Sequence, residues 1–159
     1  LDDVKEIKNI DYLKIDIQGG ELEVFKNSHN FLSECSVIHT EVEFLPMYEN
    51  QPLFSEVEMF LREKGFIFHR FFPLVSRTIK PMLVNKNPYA GLSQVTWADA
   101  IFVKDFTKFE KLSILQLKKT ALILHDIYGS FDLAMRALIS LDKKLKTTIK
   151  FADKYLEYL

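Results

Sequence analysis

The stretch YLKIDIQGGELEVFK, Tyr12 to Lys26, constrains the fold more than any other part of the chain. Tyr12, Leu13, Ile15 and Ile17 are apolar β-formers, with Lys14 the exception, so Ile10–Ile17 reads as a strand. Gly19-Gly20 break it. Leu22, Val24, Phe25 and Phe31-Leu32 then recur at helical spacing. Glu21 and Glu23 fall in the first helical turn, where the positive end of the helix dipole favours acids. A strand feeding a helix through a Gly-Gly turn is half of a β-α-β unit, and it demands a neighbouring strand.

The chain supplies candidates for that neighbour. Ser36–Phe44 mixes β-branched residues with His39, Thr40, Glu41 and Glu43. An amphipathic helix follows, carried by Leu53-Phe54, Val57, Phe60 and Leu61, with Gly65 as its stop signal. Phe66–Phe72 reads as a third strand. Pro73 to Thr96 holds three prolines and Gly91 without a period, which predicts a long loop, functional or mobile. VTWADAIFVK, ending at Lys104, is a fourth strand. Phe109–Tyr128 and Phe131 to about Tyr158, the latter as one piece or two, read as helical, divided at Gly129-Ser130, with Ser130 as N-cap. The order predicts an α/β sheet with right-handed parallel crossovers. The third and fourth strands lack a helix between them, so that pair is expected to be antiparallel at the sheet edge.

Charge and cysteine content narrow the function classes. The net charge is -1 over 159 residues. That leaves no basic footprint for nucleic acid. Cys35 is the only cysteine, so no internal disulfide forms and a reducing, cytoplasmic compartment is expected. No apolar run reaches the roughly 18 residues of a membrane span, and no membrane partner is expected. CxxC, HExxH, GxSxG and P-loop patterns do not occur.

Candidate chemistry lies at strand ends, because open α/β sheets bind ligands beyond the carboxyl ends of their strands. Asp16 and Glu41 or Glu43 fall there. Alternation puts Lys14, Asp16 and Gln18 on one side of the first strand and Leu13, Ile15 and Ile17 on the other. A carboxylate so placed accepts a hydroxyl proton or holds a cation. Gly19-Gly20 let a backbone approach a ligand. The plainer alternative, an acid that only serves a turn, stays open. His39, His69 and His125 have no metal-ligand spacing and read as structural. Trp97 packs or stacks on a ligand, and Tyr48 sits in the loop at the ligand end of the sheet.

The blocks IDYLKIDIQGGELEVFKNS, TEVEFLPMYENQPLFSEVEMFLREKGF and WADAIFVKD occur in that order. Together they resemble the FkbM family of S-adenosylmethionine-dependent methyltransferases, and ALILHDIYGSFDLAMRALISL resembles a helical tail of some members. The resemblance implies a Rossmann-like methyltransferase sheet, S-adenosyl-L-methionine as cofactor, and O-methylation of a sugar or secondary metabolite. It also implies catalytic roles for Asp16 and Glu41 and cofactor contacts at Gln18 and Gly19. Substrate contacts fall to Glu21, Tyr48 and Trp97, and no metal is implied. Gln18 stands where many members carry Glu, which weakens any base role there. The family's glycine-rich cofactor turn and its ribose-binding acid have no counterpart here. Residues 1–106 are therefore expected to form the C-terminal half of such a domain, with 107–159 as the tail. Alone, this chain is expected to bind the cofactor weakly or not at all and to be inactive.

A second reading stays open: a non-catalytic assembly or binding module on the same sheet. The apolar stripe of the tail, including Leu112, Leu115, Leu122, Ile123 and Leu141, must pack on the sheet, on itself or on a second chain. An uncovered sheet edge favours association, so a homo-oligomer is expected.

Overall fold

The computed structural model describes residues 1–146 and 148–159. The elements run β1 (Tyr12–Ile15), α1 (Glu21–Lys26), α2 (His29–Glu34), β2 (Val37–Glu43), α3 (Phe54–Glu63), β3 (Phe66–Arg77) and β4 (Gln94–Lys104). A 3₁₀ turn, Phe106–Lys111, leads into α4 (Ile114–Asp126), α5 (Phe131–Leu145) and α6 (Phe151–Tyr158). The four strands form one sheet in the order β1-β2-β4-β3. β1 and β2 are parallel; β4 runs antiparallel to both β2 and β3. The result is a mixed α/β fold with an open sheet.

Both faces of the sheet are covered, by different parts of the chain. Alternation sends Ile38, Val42, Ala98, Ala100 and Phe102 to one side, where α1, α2 and α3 add Phe25, Leu32, Val57 and Leu61. Phe54, Phe68, Phe71 and Phe102 meet there at ring separations of 4.5–6.4 Å, within the range that favours tilted and edge-to-face pairs. Val37, Ile101 and Val103 point the other way and are buried under Phe109, Leu117, Leu124, Ala134, Ala137 and Leu141. The tail packs most of its stripe in two ways at once: α4 and α5 form a hairpin at Gly129, whose φ is +57°, and that hairpin lies on the sheet. Leu115 and Leu122 are exceptions and stay exposed on α4.

Lys104 fixes one corner. Its ammonium donates to the carbonyls of Leu32 (2.8 Å) and Lys64 (3.2 Å), at the C-terminal ends of α2 and α3, and sits 3.9 Å from the Phe66 ring centroid. A cation suits both helix ends. Burial nevertheless lowers its pKa to about 8.

Three expectations need correction. The helix after Gly19-Gly20 is two short helices. Ser28 is buried and donates to the Val24 carbonyl at 2.6 Å, an example of a hydroxyl competing with the helical ladder. Pro73–Thr96 is not all loop: β3 continues to Arg77, paired with Gln94, and only 78–93 lies outside strands. Pro73 is accommodated because β3 is an edge strand and the register shifts between Phe71 and Leu74. The tail begins with the 3₁₀ turn at Phe106, ahead of the expected helix start at Phe109. Its final stretch takes the two-piece form, α5 and α6; Thr147, within that stretch, lies outside the described residues. Asp142 accepts from the amides of Phe151 (2.9 Å) and Ala152 (3.0 Å), capping α6. Ser130 precedes α5, but His69 Nε2 lies 2.8 Å from its hydroxyl and no side-chain cap forms.

Candidate active site

The tail-facing side of the sheet changes character along its strands. Near the amino end of β2 it is apolar, at Val37. Two residues on stands His39, then Glu41, then Glu43. β1 contributes Tyr12 and Lys14 to the same side, and β4 places Asp99 opposite Glu41 and Trp97 opposite Glu43. The carboxyl ends of β1 and β2 therefore carry a polar surface just where the helical cover stops.

At its far end the surface opens into a cleft of about 160 Å³, lined by Gln18, Glu41, Glu43, Met47, Tyr48 and Trp97. Glu43 is 4% exposed. Burial is the main force raising its pKa, to about 7, reinforced by the charges of Glu21 and Glu41. Glu41 is also raised, first by burial, then by Asp16, Glu21 and Asp99. The Glu41 and Glu43 carboxyls hydrogen-bond to each other in the sense that lowers Glu41 and raises Glu43. Glu43 is the member whose pKa reaches about 7, and the two titrate as a coupled pair.

Beside the cleft lies a buried polar chain. His39 Nε2 is 2.9 Å from Asp99, and its Nδ1 is 3.0 Å from the Tyr128 hydroxyl, which donates to Tyr12 at 3.0 Å. Lys14 approaches Asp99 at 3.7 Å. Arg70 donates to the Tyr128 carbonyl. Tyr128 lies just past the end of α4, so the tail holds the residue that holds the sheet's histidine. Burial and the Tyr12 hydrogen bond both push the Tyr128 phenol upward, so it stays a neutral donor. Tyr128→Phe removes the hydroxyl between His39 and Tyr12. It is expected to lower unfolding stability by about 1–3 kcal/mol in urea titration, because both partners stay behind unpaired.

The turn after β1 is built around Glu21. Its two oxygens accept from the amides of Ile17 (2.7 Å) and Gly19 (2.9 Å), so this carboxylate shapes the turn from within. Gln18 and Gly19 have φ of +62° and +103°. A Cβ on Gly19 would lie 2.8 Å from Gln51 Nε2. Gln51 in turn accepts from the amides of Met47 (2.8 Å) and Tyr48 (3.1 Å) and ties the loop that carries Tyr48 to the turn. Its Nε2 is buried without a hydrogen-bond partner among the described residues.

Of the residues singled out from sequence, Gln18, Glu41, Tyr48 and Trp97 line one cleft. Asp16 stands beside it, exposed, and acts on Glu41 through its charge. Gly19 and Glu21 lie in the supporting turn. Sequence reasoning leaves Glu43 as an alternative to Glu41 and gives no role to Asp99, Tyr128 or Gln51. Alternation along His39, Glu41 and Glu43 is the signal for Glu43; the other three come from distant segments and leave none. Among the described residues no cluster of three or more His, Cys, Asp or Glu is arranged to hold a metal ion.

A polar cleft at the carboxyl ends of parallel strands is where α/β sheets bind ligands. Residues 1–68 match the family model of the methyltransferase FkbM domain, a span that holds every cleft residue except Trp97. The match supports methyltransferase chemistry. No curated protein and no solved structure matches the chain.

Proposed function

We propose that this chain is the acceptor-side half of an S-adenosylmethionine-dependent methyltransferase, which in the intact protein O-methylates a hydroxyl of a sugar or secondary metabolite. The observation that carries the reading is buried Glu43 beside Glu41, two carboxyls both held above the usual carboxylate range, in a cleft of the FkbM-matching segment. A strand order in which antiparallel β4 is inserted beside β2 fits a parallel sheet closed at one edge by a hairpin. That is compatible with the C-terminal half of a Rossmann-like methyltransferase sheet.

The described residues do not by themselves fit the whole cofactor. The cleft, at about 160 Å³, is below the 300 Å³ or so at which small-molecule sites begin, and Gln51 fills the space a bare glycine would leave at Gly19. What these residues supply is therefore the acceptor's side of the reaction. Its hydroxyl enters between Tyr48 and Trp97, whose rings give an apolar wall. The O–H bond breaks as the proton passes to the carboxyl pair, and the electron pair stays on the acceptor oxygen, making it the nucleophile. A base whose pKa lies near the working pH does this best. With Glu43 already protonated the pair is a poor acceptor; once Glu43 ionises it takes the proton at a pKa of about 7. Asp16 adds negative charge at the rim, which favours proton uptake.

Asp16→Asn in the intact protein is expected to cut turnover several-fold, because it removes the rim charge that helps raise Glu41, while the circular dichroism stays unchanged, since Asp16 is exposed. Turnover within a factor of two of wild type with the true acceptor removes Asp16 from the mechanism.

A further inference from the structure

The arm formed by the outer parts of β3 and β4 has a composition unlike the rest of the chain. From Phe71 to Ala98 it carries Arg77, Lys80 and Lys86 and no Asp or Glu. None of these cations is in an ion pair among the described residues. The tip is tied together from within. Thr78 donates through both its amide (3.2 Å) and hydroxyl (2.8 Å) to the Ala90 carbonyl, and the Asn87 amide bonds the Val84 carbonyl at 2.9 Å. Ser76 packs so closely on Gly91 that a Cβ there would lie 2.9 Å from the Ser76 carbonyl oxygen. Yet the large apolar side chains of this self-supporting tip point outward: Ile79 is 69% exposed, Met82 60%, Tyr89 75% and Leu92 57%.

An ordered tip that leaves these side chains mostly in solvent, and that is flanked only by cations, is complementary to one kind of surface. Apolar groups that enter the acyl boundary, beside Lys and Arg that meet anionic headgroups, are the components of interfacial binding. Protein interfaces are depleted of lysine, whereas two of the three cations of this arm are lysines. We propose that this arm docks on an anionic lipid surface, with Ile79, Met82, Tyr89 and Leu92 entering the interface and Lys80 and Lys86 contacting headgroups. The arm leaves the sheet where Val75 pairs with Trp97, so docking holds the cleft beside the bilayer. The expectation of no membrane partner rests on the absence of a long apolar run. Among the described residues no helix is long and apolar enough to cross a membrane, but peripheral docking needs no such run.

Co-sedimentation of the 159-residue chain with vesicles tests this. Vesicles of phosphatidylcholine and phosphatidylserine in equal parts are expected to pellet the chain, and phosphatidylcholine alone is not. Lys80→Glu/Lys86→Glu and Ile79→Asp/Met82→Asp alter exposed positions and should leave circular dichroism unchanged. Each is expected to lower the vesicle partition coefficient roughly tenfold, from the loss of headgroup attraction in the first and of apolar burial in the second. Raising salt is expected to weaken binding of the wild type. The proposal is overturned if anionic vesicles fail to pellet the chain or if both variants pellet like wild type. Arm variants that instead change the oligomer size on gel filtration would overturn it in favour of a protein interface.

Discussion

Glu43→Gln is expected to stabilise the fold and abolish most of its activity. The stability effect follows from the sign of the pKa shift. Glu43 is raised from 4.5 to about 7 in the folded chain, so folding favours its protonated form. Stability from this group is fully present below pH 4.5 and is lost as pH rises through 7. At pH 8 the buried charge therefore opposes folding. A neutral glutamine, still able to donate to Glu41, removes that penalty, and a gain of about 2 kcal/mol in urea unfolding at pH 8 is expected. The gain should shrink towards zero at about pH 4. Activity moves the other way, because glutamine imitates the protonated Glu43 and cannot take a proton. Turnover of the intact protein is expected to fall roughly 10²–10⁴-fold. A Glu43→Gln chain that is less stable at pH 8, or an enzyme that turns over normally, is incompatible with this role.

Phe102→Ala carries the largest expected loss of stability. Phe102 is 1% exposed on the face covered by α1, α2 and α3, with ring centroids of Phe68 at 5.7 Å and Phe54 at 6.4 Å. Its backbone is held on both sides, by β2 and by β3, so the strand cannot move in to fill the space. The cost then combines lost burial with a persisting cavity, about 3–5 kcal/mol. For a chain of this size that lowers the melting temperature by roughly 10 °C. Thermal unfolding followed by circular dichroism measures it. A loss below about 1 kcal/mol, the size of a surface change, would mean that this face is not a packed core.

Local patterning makes much of the fold legible. β1, β2 and α3 are visible as alternation or helical spacing, and the antiparallel pairing of β3 with β4 follows from the missing helix between them. What stays hidden in the sequence is non-local. β4 inserts between β2 and β3, which no short-range pattern encodes. The arm reads as loop because Pro73 and its bulge interrupt the period of β3. The helix at Glu21 reads as continuous because Phe31-Leu32 keep the apolar spacing across the buried Ser28. The site divides in the same way. Asp16, Gln18 and Glu41 are marked by their strand ends, while the link from Tyr128 through His39 to Asp99 joins three segments whose meeting only the folded chain discloses. His39 reads as structural, and its two ring nitrogens are both engaged. Glu43 is the instructive case. Its two-residue spacing from Glu41 guarantees a shared face, but the burial that raises it depends on the loop at Tyr48 and on Trp97, more than fifty residues away by the chain.

The pH dependence of kcat/KM for methyl transfer by the intact protein, measured with saturating methyl donor, tests the role of the carboxyl pair most directly. Because the proton must pass to an ionised Glu43, the profile is expected to rise with a midpoint near 7, matching the value of about 7 for that carboxyl, and to level off above it. Glu43→Gln should remove the rise. A profile that is flat across this range in the wild type, or a rise that survives in Glu43→Gln, would contradict the assignment of the acceptor's proton to this pair.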